Sequence, residues 1–247
     1  MRWCVVVFVA VFAVSACSKP APHRDDVHVV APPAADATPV AVVADAAVDA
    51  PSVAIVDAPM VWSAEREQLT LDYRRAHSDA NAKDLAIDPK VIVLHYTGGN
   101  SAKATRTYFD NVKIEAARKE LARGGAVNVS SHFLVDRDGT IYRLQPETRF
   151  ARHCIGLNHV AIGIENVGDD KHPLTDAQVA ADAALVRELA HRFHITHLLG
   201  HYEVMRFRDH PYYVELDRAY KNEKDDPGAA FMAHVRERVA DLGLAGL

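Results

Sequence analysis

The chain has 247 residues, 49% of them apolar and 25% charged, enough for one or two domains with a buried core. Its formal net charge of −5 splits into +1 over residues 1–17, −4 over 18–60 and −2 over 61–247, so no segment is basic enough to hold nucleic acid. Of the three cysteines, Cys4 and Cys17 fall in an N-terminal apolar stretch and Cys154 stands alone, which excludes a disulfide framework.

Arg2 precedes an apolar run from Trp3 to Val14. That run is too short for a bilayer span of about 20 residues and has the form of an export signal. It ends in Val14-Ser15-Ala16-Cys17, which resembles the bacterial lipobox, where the cysteine is acylated and becomes the mature N-terminus. Ordinary cleavage near Ala16 with an unmodified Cys17 is the alternative. Acyl chains add about 0.8 kcal/mol per buried CH₂, so several of them anchor firmly. Ser18 follows the cysteine, without the aspartate that marks inner-membrane retention among lipoproteins. The expected location is therefore the periplasmic face of the outer membrane.

Residues 18–60 hold 12 Ala, 9 Val, 7 Pro and 6 Asp, with no glycine or aromatic residue. Repeated proline breaks any register, and small side chains build a poor core. An extended, disordered tether is expected, with a short β segment at Val40–Val43 as the alternative.

From Val61 the composition changes, and residues 61–247 are expected to form one domain. Residues 64–78 predict a charged helix. Val91–Leu94 is a continuous apolar run between Pro89 and Gly98-Gly99, suited to a strand covered on both faces. Residues 101–122 carry helical spacing up to Gly124-Gly125. His132–Leu144 predicts a hairpin turning at Asp136–Gly139. Ala161–Val167 alternates like a strand, and Thr175 with Gln178 opens a capped helix through His194. His197–Gly200 reads as a short strand, and Pro227-Gly228 begin a last helix through Ala240. The class is α/β, a mixed central sheet flanked by helices.

Three positions carry candidate chemistry. His95 ends the most apolar strand, and alternation puts it on one face with Val91 and Val93. His201 ends a second apolar segment in the same way. Each could equally be a satisfied core histidine. Two imidazoles and a carboxylate from Lys224-Asp225-Asp226-Pro227-Gly228 would suit catalytic zinc, although an Asp there could simply cap the helix. Glu165 shares a strand face with Gly163, opposite Ile162 and Ile164. It is either a partnered group beside a ligand or an exposed edge carboxylate.

Taken together, Val91–Gly99 (VIVLHYTGG), Val129–Leu144 (VSSHFLVDRDGTIYRL), Ala151–Gly168 (ARHCIGLNHVAIGIENVG), Gly200–Glu203 (GHYE) and Glu223–Phe231 (EKDDPGAAF) resemble the zinc-dependent N-acetylmuramoyl-L-alanine amidases. That family includes the anhydro-muropeptide amidase of wall recycling, amidase-type phage lysozymes and the animal peptidoglycan recognition proteins. The resemblance covers roughly residues 85–235, in the family's order. It implies the peptidoglycan-recognition-protein-like amidase fold, Zn²⁺ held by His95, His201 and Asp226, and Glu165 as catalytic acid–base. It further implies an oxyanion-stabilising Lys224, and substrate contacts from His153, Asn158 and Thr97. His132 matches a family histidine that is not usually a ligand. The implied reaction is hydrolysis of the amide between N-acetylmuramic acid and L-alanine of the stem peptide, by a monomer.

His201 and Asp226 are 25 residues apart, a longer loop than in the recycling enzyme, and the insertion contains Glu203, Asp209 and His210, which compete as third ligand, as does Asp225. A peptidoglycan-binding lipoprotein without activity, tethering membrane to wall, is the alternative function. Cys154 beside His153 reads as a small buried cysteine rather than a nucleophile.

Overall fold

The computed structural model describes residues 53–247. The export signal, Cys17, the Val40–Val43 segment and the tether up to residue 52 lie outside the described residues. The sheet starts earlier than the composition change implies. Strand β1 (Ile55–Asp57) pairs with the second arm of the hairpin, and Ala58 and Met60 are buried behind it. The last residues assigned to the tether are therefore part of the domain.

Helix α1 (Ala64–His77) forms where the charged pattern predicts it. Ser63 caps it by accepting the Arg66 N–H, Glu65 and Glu67 sit in the first turn, and Arg74, Arg75 and His77 sit in the last. Strand β2 (Val91–Tyr96) follows, its first four side chains wholly buried. The helix expected over 101–122 is two pieces, α2 (Ala102–Asp110) and α3 (Lys119–Arg123). Between them the backbone finds partners elsewhere. Asn128 N–H donates to the Val112 carbonyl, Ile114 N–H to the Ala126 carbonyl, and Arg66 donates to the Phe109 and Asn111 carbonyls. Those bonds replace the helical ladder.

The hairpin is β3 (Phe133–Val135) and β4 (Ile141–Arg143), turned at Asp136–Gly139 as expected. Strand β5 (Ala161–Asn166) leads to α4 (Asp176–Arg192), whose Thr175–Gln178 capping box is formed. Gln178 also donates to the Val135 and Val167 carbonyls, tying the helix start to two strand ends. Strand β6 (His197–Gly200) runs into a 3₁₀ turn, His201–Phe207. The last helix, α5 (Ala229–Arg238), begins two residues later than expected, with Gly228 at φ 91° as its cap residue. That conformation is one glycine adopts without strain.

The sheet order is β1-β4-β3-β5-β2-β6, antiparallel only between β3 and β4, so the class is the expected mixed α/β. One face, with Ile92, Leu94, Ile162 and Ile164, packs on α4 and α5. The opposite face carries Val91 and Val93 and turns polar toward the ends of β2 and β5. Among the described residues no helix is long and apolar enough to cross a membrane.

Candidate active site

The parallel pairing of β2 and β5 sets His95 directly beside Glu165, and Val93 beside Gly163. Strand β6 pairs on the other side of β2 and delivers His201 just beyond Leu94–Gly200. Tyr202 N–H donates to the Asp226 carbonyl at 2.9 Å, which brings the two ends of the excursion between His201 and Asp226 together. His95, His201 and Asp226 are all buried, and one nitrogen or oxygen of each lies within 4.8 Å of the others. His95 Nδ1 is 2.9 Å from His201 Nδ1 and 3.4 Å from Asp226 Oδ2, and His201 Nδ1 is 3.3 Å from the same oxygen. Four ligands at zinc distances of about 2.0–2.1 Å would be separated by about 3.3 Å, so this donor set fits a tetrahedral ion.

The competing residues are not part of this group. Glu203 accepts Arg236 at 2.9 and 2.6 Å and the Gly200 N–H at 2.8 Å. Asp209 and Asp225 are exposed, and His210 stacks on Phe207 while accepting the Tyr212 N–H. Asp226 is not the helix cap that its position before Pro227 suggested. Gly228 takes that place, and the Asp226 carboxylate faces the two imidazoles.

Burial opposes the charge of Asp226, but the two imidazoles set against it, His201 first, hold its carboxyl far below the usual range. Burial, reinforced by the charge of His201, lowers His95 to about 4. The Glu165 carboxylate lines the cleft and makes no hydrogen bond among the described residues. Removal from water, then Asp226, push its carboxyl up to about 8, against the opposing pull of Lys224 and Arg118. Burial pushes the Cys154 thiol up, which makes it inert as a nucleophile.

These groups line one cleft of about 300 Å³. Lys224, Thr97 and His153 also line it, but Asn158 does not. The Asn158 side-chain oxygen is spent on the His153 and Cys154 N–H groups, at 2.8 and 2.7 Å, so it shapes the loop from within. The Thr97 hydroxyl is bonded within the Gly98-Gly99 turn. Gly163 leaves room, but for protein: a Cβ there would stand 2.7 Å from the His153 ring. Sequence reasoning missed Arg118, which lines the cleft and donates to the Tyr108 hydroxyl at 2.8 Å. A basic residue in an irregular loop carries no motif that would single it out.

Residues 85–229 match the N-acetylmuramoyl-L-alanine amidase family, Amidase_2. The chain belongs to this family. Among curated relatives it is 32% identical to the endolysin of Escherichia phage T7 over 100 residues, 38% of this chain and 66% of that protein. The endolysin of Enterobacteria phage T3 is 31% identical over the same shares. The chain thus spans just under two thirds of the length of these relatives. Solved amidase structures resemble it more distantly. LysC from Clostridium intestinale URNW has a TM-score of 0.47 and 24% identity, covering 78% of this chain and 99% of that one. The amidase AmiD from E. coli, solved with anhydro-N-acetylmuramic acid-L-Ala-D-gamma-Glu-L-Lys, has a TM-score of 0.43 and 24% identity, covering 68% of this chain and 63% of that one.

Proposed function

We propose that this chain is a zinc-dependent N-acetylmuramoyl-L-alanine amidase that cuts the amide between N-acetylmuramic acid and L-alanine in peptidoglycan or muropeptides. The observation that carries the reading is the convergence of His95, His201 and Asp226 beside Glu165 in one cleft. An amide resists hydrolysis because its carbonyl is a poor electrophile and its nitrogen a poor leaving group. Zinc held by His95, His201 and Asp226 supplies Lewis acidity toward the carbonyl and toward water. Glu165 takes the proton of the attacking water and delivers it to the leaving nitrogen. The Lys224 ammonium, which lines the same cleft and pulls on the Glu165 carboxyl, balances the negative charge that develops on the carbonyl oxygen. Glu203 holds Arg236 and the Gly200 N–H and so stabilises the corner from which His201 projects.

The test is mass spectrometry of products from purified sacculi and from soluble muropeptides. The expected products are free stem peptides that begin with L-alanine, absent with His95→Ala. Binding to sacculi without cleavage would replace this reading with the non-catalytic wall-binding lipoprotein.

The domain is further proposed to act as a monomer on the periplasmic face of the outer membrane, anchored through acylated Cys17 and reaching the wall on its Ala/Val/Pro/Asp-rich tether. The sequence around Cys17 and the composition of 18–52 support this. Cys17→Ser should move the protein to the soluble periplasmic fraction. An unlipidated wild-type protein would overturn the anchor.

A further inference from the structure

His153 borders the cleft, yet neither of its ring nitrogens is free for a substrate. Nδ1 lies 3.0 Å from His95 Nε2, and Nε2 lies 3.3 Å from the Ala161 carbonyl oxygen. A carbonyl oxygen can only accept, so the proton sits on His153 Nε2 and, in the neutral ring, Nδ1 is a bare acceptor. The shared contact then requires His95 to donate from its own Nε2. That leaves the His95 Nδ1 lone pair uncovered, pointing at His201 Nδ1 and Asp226 Oδ2. The opposite assignment would set a bare His153 Nε2 against the carbonyl of Ala161, lone pair against lone pair.

The surroundings hold His153 in this role. Asn158 fixes its backbone N–H at 2.8 Å. The ring stands nearly perpendicular to that of His95, with centroids 5.1 Å apart. It lies over Gly163, where a Cβ would come within 2.7 Å of it. His132, on its other side, is itself committed. It accepts the Gly163 N–H on Nδ1 and donates to the Arg149 carbonyl from Nε2, so it supplies no competing donor.

We infer that His153 is a positioning residue that selects the His95 tautomer able to ligate a metal through Nδ1, with the Ala161 carbonyl as the terminal acceptor of the relay. This deepens the zinc reading above and rests on it. Metal-ligating histidines are commonly oriented by such a partner, whose loss costs about 10–100-fold in affinity or activity. Gly163 serves the same end by leaving the ring its place.

The test has two parts on the full chain. Imidazole ¹⁵N shifts of the metal-free wild-type protein at neutral pH should show both His95 and His153 protonated at Nε2. A proton on His153 Nδ1 would overturn the proposal with no variant needed. Zinc affinity, by competition with a chromophoric chelator, should then fall about 10–100-fold in His153→Leu. It should return to within a few-fold of wild type in His153→Asn, whose side-chain oxygen is as many bonds from Cα as Nδ1 is. Circular dichroism checks folding. Unchanged zinc affinity in a folded His153→Leu would sink the positioning role while leaving the metal site standing. No zinc bound by the wild type would instead sink the metal reading, and the tautomer measurement would still judge the relay.

Discussion

The two faces of the central sheet are built from alternate residues of the same two strands, yet they work by different physics. Ile92, Leu94, Ile162 and Ile164 form one face, wholly buried against α4 and α5. Val93, His95, Gly163 and Glu165 form the other, where a run of single hydrogen bonds links Ala161, His153, His95 and the ligand group. The apolar face gains from many weak contacts spread over many atoms. On the polar face each ring nitrogen has only one or two partners, so each loss falls on one function. A period of two along a strand thus separates stability from chemistry within a few ångströms.

The largest break in this comparison should come at the ligands. Asp226→Ala is expected to lose both zinc and amidase activity, while Asp225→Ala, whose side chain is exposed, keeps both. Zinc stoichiometry and activity, with folding checked by circular dichroism, read the difference. The reverse result would move the site by one residue.

Glu165→Gln should come next. It keeps the shape but not the base, so kcat should fall by about 10²–10⁴ with zinc retained. Retention of most activity in that variant would mean that the water is activated by another group.

The apolar face should answer in stability. Ile162→Ala leaves a cavity and should cost about 2–5 kcal/mol in denaturant unfolding. Under conditions where the variant is folded, zinc affinity should hold. A loss of zinc from the folded variant would show that the faces are coupled rather than separate.

A pH-dependent effect concerns the polar exception beneath the sheet. Asp182 on α4 is fully buried and accepts from Asn166 at 2.9 Å, while its Oδ1 has no partner. Burial pushes this carboxyl up to about 7, and the Asn166 hydrogen bond offsets only part of the rise. Between the ordinary Asp value of about 3.9 and the folded value, the folded state keeps a proton that the unfolded state releases. Its stabilising contribution is full below that window and is lost as pH rises toward about 7. Asp182→Asn should flatten stability against pH there, by at most about 1.4 kcal/mol per pH unit. Parallel unfolding curves for both proteins across the window would count against a neutral Asp182.

Much of the scaffold was legible because its signals are local. The apolar run at Val91–Leu94, the Asp136–Gly139 turn and the Thr175–Gln178 cap each act between residues a few positions apart, and each forms as read. The same holds for the placement of His95 and His201 at strand ends. Other features depended on partners far along the chain. The helix read over 101–122 breaks because Asn128 and Ala126 capture the backbone of 112–114, which no local periodicity announces. Asn158 matches a substrate position by its neighbours, but the loop turns its side chain inward to bond two N–H groups. Asp226 rather than Asp225 meets the imidazoles because the Tyr202 bond and the late helix start at Gly228 orient that segment. His95 finds His153 across 58 positions and His201 across 106. By itself the sequence determined which residues could ligate and which strands would carry them. Only the tertiary structure decided which nitrogen of His95 faces the ligand group, because a ring's tautomer is set by the acceptor that packing brings to its other side.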